Sequence, residues 1–281
     1  MAERKTWFIT GTSRGFGRVW TKAALKRGDR VIATARNIDS LEILRTSYGN
    51  DVLLPLTLDV TDRDAVFAAV TQGHEHFGRI DVIINNAGYG LSGAIEEVSA
   101  ADARAQLETN VLGALWGTQA VLPIMRRQGS GHILSVSSIG GVVAFPTLGL
   151  YHASKWALEA MMDSLSQEVG NLGIKVTLIE PGGYATDFGD PSSMKFSTQI
   201  AAYDEPRARL YASFEPDTIG DPQATGDAIL KVIDADQPPL RIFLGAVPLQ
   251  LARATYEARL ATWDAWAGTS IQSQRTISVP K

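Results

Sequence analysis

Apolar and β-branched runs of four to seven residues alternate along the chain with longer stretches whose apolar positions recur every three or four residues. The short runs predict strands at 6–10, 30–35, 52–58, 80–85, 132–137, 174–180 and 241–244. The longer ones predict helices at 15–27, 39–47, 62–77, 103–128, 151–171 and 222–235. Several strand runs, such as Val82-Ile83-Ile84 and Val176-Thr177-Leu178-Ile179, are continuously apolar or β-branched. That is the pattern of strands covered on both faces of a parallel sheet. The strict alternation predicts an α/β, Rossmann-type doubly wound parallel sheet flanked by helices. With no linker-like composition, residues 1–281 read as one domain.

Two segments leave the alternation. Residues 182–219 are polar and carry five aromatics, Tyr184, Phe188, Phe196, Tyr203 and Phe214. A long segment after the carboxyl end of a strand suits a substrate loop or lid, and a plain surface excursion is the other reading. The C-terminal extension, 245–281, reads as helical to about Trp266 and then as a polar tail.

Composition narrows the function. The 281 residues are 45% hydrophobic with a formal charge of -4, so no basic face for nucleic acid is implied. The absence of cysteine excludes disulfides, thiolate metal sites and cysteine nucleophiles. No apolar run approaches the length of a membrane span, and nothing at the N-terminus resembles a signal peptide. A cytoplasmic protein is expected. Of the four histidines, His74 and His76 are two apart and share no helix face, so no metal site is expected.

Thr10-Gly11-Thr12-Ser13-Arg14-Gly15-Phe16-Gly17 joins the first strand to the first helix. Its G-x-x-x-G-x-G spacing permits a tight turn and a close approach of backbone to a pyrophosphate at the helix N-terminus. Strands that bind NAD end in a carboxylate for the ribose 2′-hydroxyl; here the second strand ends in Ala35-Arg36-Asn37. Arg36, with Arg14 in the turn, suits the extra phosphate of NADP, so NADP(H) is expected over NAD(H). Both arginines as solvated surface charges is the alternative.

Tyr151 and Lys155 are four apart within a predicted helix and share a face. A cation about 5 Å from a phenol, at an effective dielectric near 20, favours the phenolate by about 3 kcal/mol, roughly two pKa units. Such a tyrosine exchanges protons with an alcohol or carbonyl near neutral pH.

Five ordered features occur together: the 10–17 turn, Leu58-Asp59-Val60, Asn85-Asn86-Ala87-Gly88, Ser138 thirteen residues before Tyr151, and Pro181-Gly182. On these the chain resembles the short-chain dehydrogenase/reductase family of the classical type, strongly over 6–186 and loosely beyond. The turn and the stretch at 239–245 are most similar to carbonyl, retinol and steroid reductases.

The resemblance implies roles. Gly11, Ser13, Arg14, Gly15 and Phe16 would border the nucleotide, Asp59 would bond the adenine amino group and Val60 would lie beside the ring. Asn86, Ala87 and Gly88 would lie along the cofactor. Pro181, Gly182, Tyr184 and Thr186 would hold the nicotinamide carboxamide, although Tyr184 replaces a position often aliphatic in relatives. Asn110, Ser138, Tyr151 and Lys155 would form a catalytic tetrad. Ser138 would polarise the substrate oxygen, with Ser137 the competing candidate. Tyr151 would be the proton donor and acceptor. Lys155 would lower its pKa and bind the ribose. Asn110 would anchor a water, or be an ordinary interior polar residue.

The implied activity is reversible, NADP(H)-dependent reduction of a ketone or aldehyde by hydride transfer. An epimerase or dehydratase of the same fold and a non-catalytic NADP sensor are the alternatives. Phe145, Leu148, Tyr184 and Phe188 would wall a pocket for a small hydrophobic carbonyl or alcohol, or merely pack the lid onto the body. Relatives pair the 151–171 helix and the one before it with a second subunit, so a homodimer or homotetramer is expected.

Overall fold

The computed structural model describes residues 4–213 and 216–274. Phe214 and the tail from 275 lie outside the described residues. Seven parallel strands, β1 (Thr6–Ile9), β2 (Arg30–Ala35), β3 (Leu53–Thr57), β4 (Val82–Asn85), β6 (Gly131–Val136), β7 (Ile174–Pro181) and β9 (Arg241–Leu244), form one sheet in the order β3-β2-β1-β4-β6-β7-β9. A separate two-stranded ladder joins β5 (Gly90–Ser92) to β8 (Met194–Phe196). Every main-sheet pairing is parallel, as the apolar strand runs predict.

Helices α1 (Gly15–Arg27), α2 (Glu42–Ser47), α3 (Arg63–Phe77), α4 (Ala100–Leu107), α5 (Gly113–Gln128), α6 (Gly149–Val169), α7 (Asp204–Ala212), α8 (Thr225–Asp234) and α9 (Val247–Ser273) complete the chain. Two apolar layers result. One packs Phe8, Ile83 and Ile133 against α3, α5 and α6; the other packs Trp7, Ile9 and Ile84 against α1 and α8. Each fully buried aliphatic or aromatic side chain contributes roughly 1.5–3 kcal/mol.

Alternating residues of β1 therefore serve opposite faces, which is why the strand is apolar throughout. Sequence order reverses across the sheet between β1 and β4, the place where ligands bind in open α/β sheets. Among the described residues, no helix is long and apolar enough to cross a membrane.

Four expectations need correction. The helix expected over 103–128 is two helices, α4 and α5, joined by a π turn at Glu108–Leu112. The helix expected over 39–47 begins as a 3₁₀ turn, Ile38–Leu41, capped by Asn37, whose side chain accepts from Asp39 N. The 182–219 segment contains β8 and α7 instead of being plain loop. The C-terminal helix runs past Trp266 to Ser273, because nothing between Gly268 and Ser273 forces a stop.

Candidate active site

The turn after β1 is built for close backbone approach. Gly11 and Gly15 have φ of 70° and 54°, a region that costs other residues free energy. A Cβ on Gly17 would fall 2.6 Å from Asn86 Nδ2 and closer still to Gly11 O. Asn86 Nδ2 donates to Thr10 O at 2.8 Å and Gly11 O at 3.0 Å, while Thr10 Oγ1 accepts from Asn86 N and Ala87 N, both at 2.9 Å. The turns after β1 and β4 are thereby clamped together, with Gly88 next in line.

The N-terminus of α1 has neither a side-chain cap nor an acidic residue in its first turn. Its free N–H groups and dipole suit an anion. Ser13 and Arg14 are half-buried beside it. Phe16 stacks on Trp20, with ring centroids 5.1 Å apart.

Arg36 is exposed directly after β2, and the nearest carboxylate in sequence, Asp39, lies beyond it in the 3₁₀ turn. Arg14 instead donates to Ser192 O, across on the lid. Asp59 is exposed and accepts from Thr61 N at 3.0 Å and Thr61 Oγ1 at 2.8 Å, and buried Val60 packs under Gly113. Pro181 ends β7, Gly182 N donates to Leu244 O at 3.0 Å, and Thr186 sits over Gly15. Positive-φ glycines and an uncapped helix start together fit the pyrophosphate of a nicotinamide dinucleotide.

The second half of the site stands beyond β4 and β6. Tyr151 and Lys155 occupy successive turns of α6, the ammonium 5.8 Å from the phenol ring centroid. Lys155 Nζ donates to Val136 O at 2.7 Å. Burial pushes the Tyr151 phenol up to about 12, with the Ser138 hydroxyl pulling the other way. Burial pushes Lys155 down to about 8, opposed by the carboxylate of Glu159. The expected lowering of Tyr151 is thus not found: taking the phenol out of water outweighs the opposing influence of the Ser138 hydroxyl.

Ser138 caps the 3₁₀ turn Ile139–Gly141, its Oγ accepting from Gly140 N at 3.0 Å. It, and not Ser137, acts on Tyr151; Ser137 is buried beside Gly141 and Glu159. Asn110 lies in the π turn. Its Oδ1 accepts from Tyr89 N at 3.1 Å, and its Nδ2 donates to Tyr89 O at 3.0 Å and Ser154 Oγ at 3.1 Å. A Cβ on Gly88 would lie 3.1 Å from Asn110 Oδ1 and 3.8 Å from Lys155 Nζ, so these three residues converge. An asparagine that bonds backbone outside its own helix accounts for the local departure from α geometry.

The expected pocket wall divides. Phe188 lies against Tyr151 at a centroid distance of 5.7 Å. Leu148 is half-buried one residue before α6. Phe145 touches His152 and joins a small cluster with Val142, Val143 and Ala252. Tyr184 contacts Phe16 edge-on at 5.1 Å and packs on Gly220, so its ring belongs with the glycine turn and not with the wall around Tyr151.

His152 escaped the sequence reading. Its Nε2 accepts from Phe145 N at 2.9 Å, and its Nδ1 lies 2.9 Å from Gly140 O, which makes Nδ1 the protonated nitrogen. Burial holds it below the usual imidazole range. It buckles the 138–145 loop to α6 and so positions Ser138. Adjacency to Tyr151 was the one available signal.

Comparison with known proteins agrees with this geometry. Residues 5–195 match the model of the family described as short chain dehydrogenase. Oxidoreductase BOA17 of Botryotinia fuckeliana is 42% identical over 272 residues, covering 96% of this chain and 99% of that one. The 3-ketodihydrosphingosine reductase of Bacteroides thetaiotaomicron is 35% identical over 240 residues, 84% of this chain and 86% of its own. The solved structure of a short-chain dehydrogenase from Streptomyces avermitilis superposes with a TM-score of 0.90 at 35% identity, covering 97% and 100% of the two chains. Other chains of this fold have been solved with NADP and with NAD nucleotides bound. The chain is therefore an oxidoreductase-type member of the short-chain dehydrogenase family.

Proposed function

We propose that the protein is an NADP(H)-dependent carbonyl reductase that converts a hydrophobic ketone or aldehyde to its alcohol, reversibly. The observation that carries this reading is a buried phenol with a serine hydroxyl beside it and an ammonium 5.8 Å from its ring centroid. The 11–17 turn and the start of α1 would hold the pyrophosphate, Arg36 the 2′-phosphate, and Asp59 and Val60 the adenine. Asn86, Ala87, Gly88 and Lys155 would border the nicotinamide ribose, and Pro181, Gly182 and Thr186 the carboxamide. When bound, the reduced nucleotide supplies hydride.

The chain's own part is proton handling and charge placement. Ser138 donates to the substrate oxygen, Tyr151 transfers its proton to that oxygen as charge builds there, and Lys155 stabilises the resulting phenolate. Asn110 keeps the Tyr89 backbone and Ser154 in register beside them. Phe188 excludes water above Tyr151. An apolar wall suits a long-chain ketone, as does the similarity to a 3-ketodihydrosphingosine reductase. The lack of cysteine is consistent with a reducing cytoplasm, and α5 and α6 offer the face for a second copy.

The test is consumption of NADPH and NADH with a panel of ketones and aldehydes. Wild type should prefer NADPH, and Arg36→Asp should remove most of that preference. Tyr151→Phe should still bind nucleotide but lose roughly 10²–10⁴-fold in turnover. Preference for NADH would sink the cofactor assignment, and a fully active Tyr151→Phe would sink the mechanism.

A further inference from the structure

The face of α6 that carries Tyr151 and Lys155 continues, at the same four-residue interval, through Glu159 to Asp163. The first three are buried, and Asp163 emerges with its side chain 40% exposed. Arg241 of β9 braces the outer end. Its Nε lies 3.0 Å from Glu159 Oε2 and 3.6 Å from Glu180 Oε1, and its Nη2 lies 2.7 Å from Asp163 Oδ2. Glu180, in β7, is wholly buried and interacts with the Glu159 carboxyl beside Arg241.

Charge bookkeeping picks one protonation state for this cluster. Lys155 and Arg241 carry two positive charges; Glu159 and Asp163 carry two negative. A third carboxylate at Glu180 would leave a buried excess anion, which is costly. Burial and the neighbouring Glu159 charge both raise Glu180 above the carboxylate range, so it is the neutral member. Burial raises Glu159 as well, but Arg241, 3.0 Å from its Oε2, opposes this and favours its ionised form, whereas Glu180 lies farther from the guanidinium at 3.6 Å; Glu159 is therefore the ionised member of the two neighbouring carboxyls.

We propose that Glu159 is a positioning residue whose anion, fixed by Arg241 and accompanied by neutral Glu180, keeps Lys155 charged in its buried setting. Through Lys155 it sets the alkaline limit of proton exchange at Tyr151. The inference rests on the roles given above to Tyr151 and Lys155. The groups facing Lys155 and Glu159 are Tyr151 and Asp163 on α6, Glu180 on β7, Arg241 on β9, the hydroxyls of Ser137 and Ser138 after β6, and Asn110 from the π turn. Only Glu159 supplies a counter-anion one helical turn from the ammonium. The sign follows: removing that anion lowers the pH at which Lys155 loses its proton, because burial already disfavours the charged form.

The experiment titrates Lys155 by NMR in nucleotide-free, isotopically labelled protein and records kcat against pH for the same proteins. In Glu159→Gln, the Lys155 midpoint and the alkaline limb of kcat should fall together by roughly one pH unit. Glu159→Asp should restore most of the shift. A folded Glu159→Gln whose Lys155 midpoint equals that of wild type overturns the proposal.

Wild type alone also decides, should the variant not fold: Glu159 protonated at pH 7, read from carboxyl carbon shifts, overturns it too. A wild type that titrates as described yet turns over no carbonyl would count against the reductase reading and leave the electrostatic role of Glu159 standing.

Discussion

Phe8, Ile32, Ile83 and Ile133 in the sheet are sealed from solvent, whereas residues 187–213 reach the body largely through charged and backbone groups. Lys195 pairs with Asp102, Arg207 with Glu97 at 2.5 Å, Tyr203 with Glu96, and Ile200 N with Glu97 Oε1 at 2.7 Å. The sheet is therefore held by burial that water cannot replace, and the lid by polar contacts for which water competes except at the shielded Arg207–Glu97 pair. A site assembled from both has a rigid floor carrying Ser138, Tyr151 and Lys155, and a cover that opens at lower cost. Arg14 ties the two together, reaching Ser192 O from the glycine turn.

The sharpest way to break the floor is Gly17→Ala. The new Cβ has no room against Gly11 O and Asn86, so stability should fall by about 1–3 kcal/mol and nucleotide affinity should drop with it. Chemical denaturation and nucleotide titration read the two effects; a variant that binds NADPH normally would show that the two turns are not clamped as described.

Glu97→Gln attacks the cover instead. It removes the charge that pairs with Arg207 and leaves one carbonyl oxygen for the three donors Arg207, Ile200 N and Ala94 N, while leaving the sheet untouched. KM for the carbonyl should rise several-fold and proteolysis between residues 190 and 213 should quicken, with the unfolding midpoint nearly unchanged. An equal fall in global stability would mean that lid and sheet unfold as one.

The smallest effect separates the two by pH. Burial pushes His132, on β6, down to about 3. The unfolded chain binds a proton near pH 6.5 that the folded chain refuses, so this contribution to stability is complete above 6.5 and shrinks as pH falls toward 3, by about 1.4 kcal/mol per pH unit. Glu97 and Asp102 on the lid side are held below the usual carboxylate range by their hydrogen bonds, so their contribution persists until pH drops past about 4. Neutral Glu180 contributes the opposite slope over the same range, so the His132 contribution should appear as a difference: between pH 6.5 and 4.5 the urea midpoint of wild type should fall relative to that of His132→Asn, while lid proteolysis stays constant. The same pH dependence of the midpoint in wild type and His132→Asn would count against this.

Strand positions and helix spacing were legible because both are local periodicities. Burial on two faces writes itself as an apolar run, and a shared helix face writes itself as an interval of four. The same rule brought Tyr151 and Lys155 together correctly, yet misjudged their electrostatics. Spacing reports distance along a helix but not how much water is removed around it. Asn110 signalled its place only as a poor helix former. The π turn that explains it depends on Tyr89 and Ser154, 21 and 44 residues away in sequence.

What the sequence determined by itself was the parallel sheet, the glycine turn over a helix start, and the shared face of Tyr151 and Lys155 on α6, since each follows from neighbours within a few residues. The tertiary structure alone decided that Tyr184 joins Phe16 while Phe188 faces Tyr151, that His152 buckles the Ser138 loop, and that Glu180 meets Glu159 across Arg241. Those outcomes depend on which distant segments share one buried volume, and burial is what sets the protonation of the groups inside it.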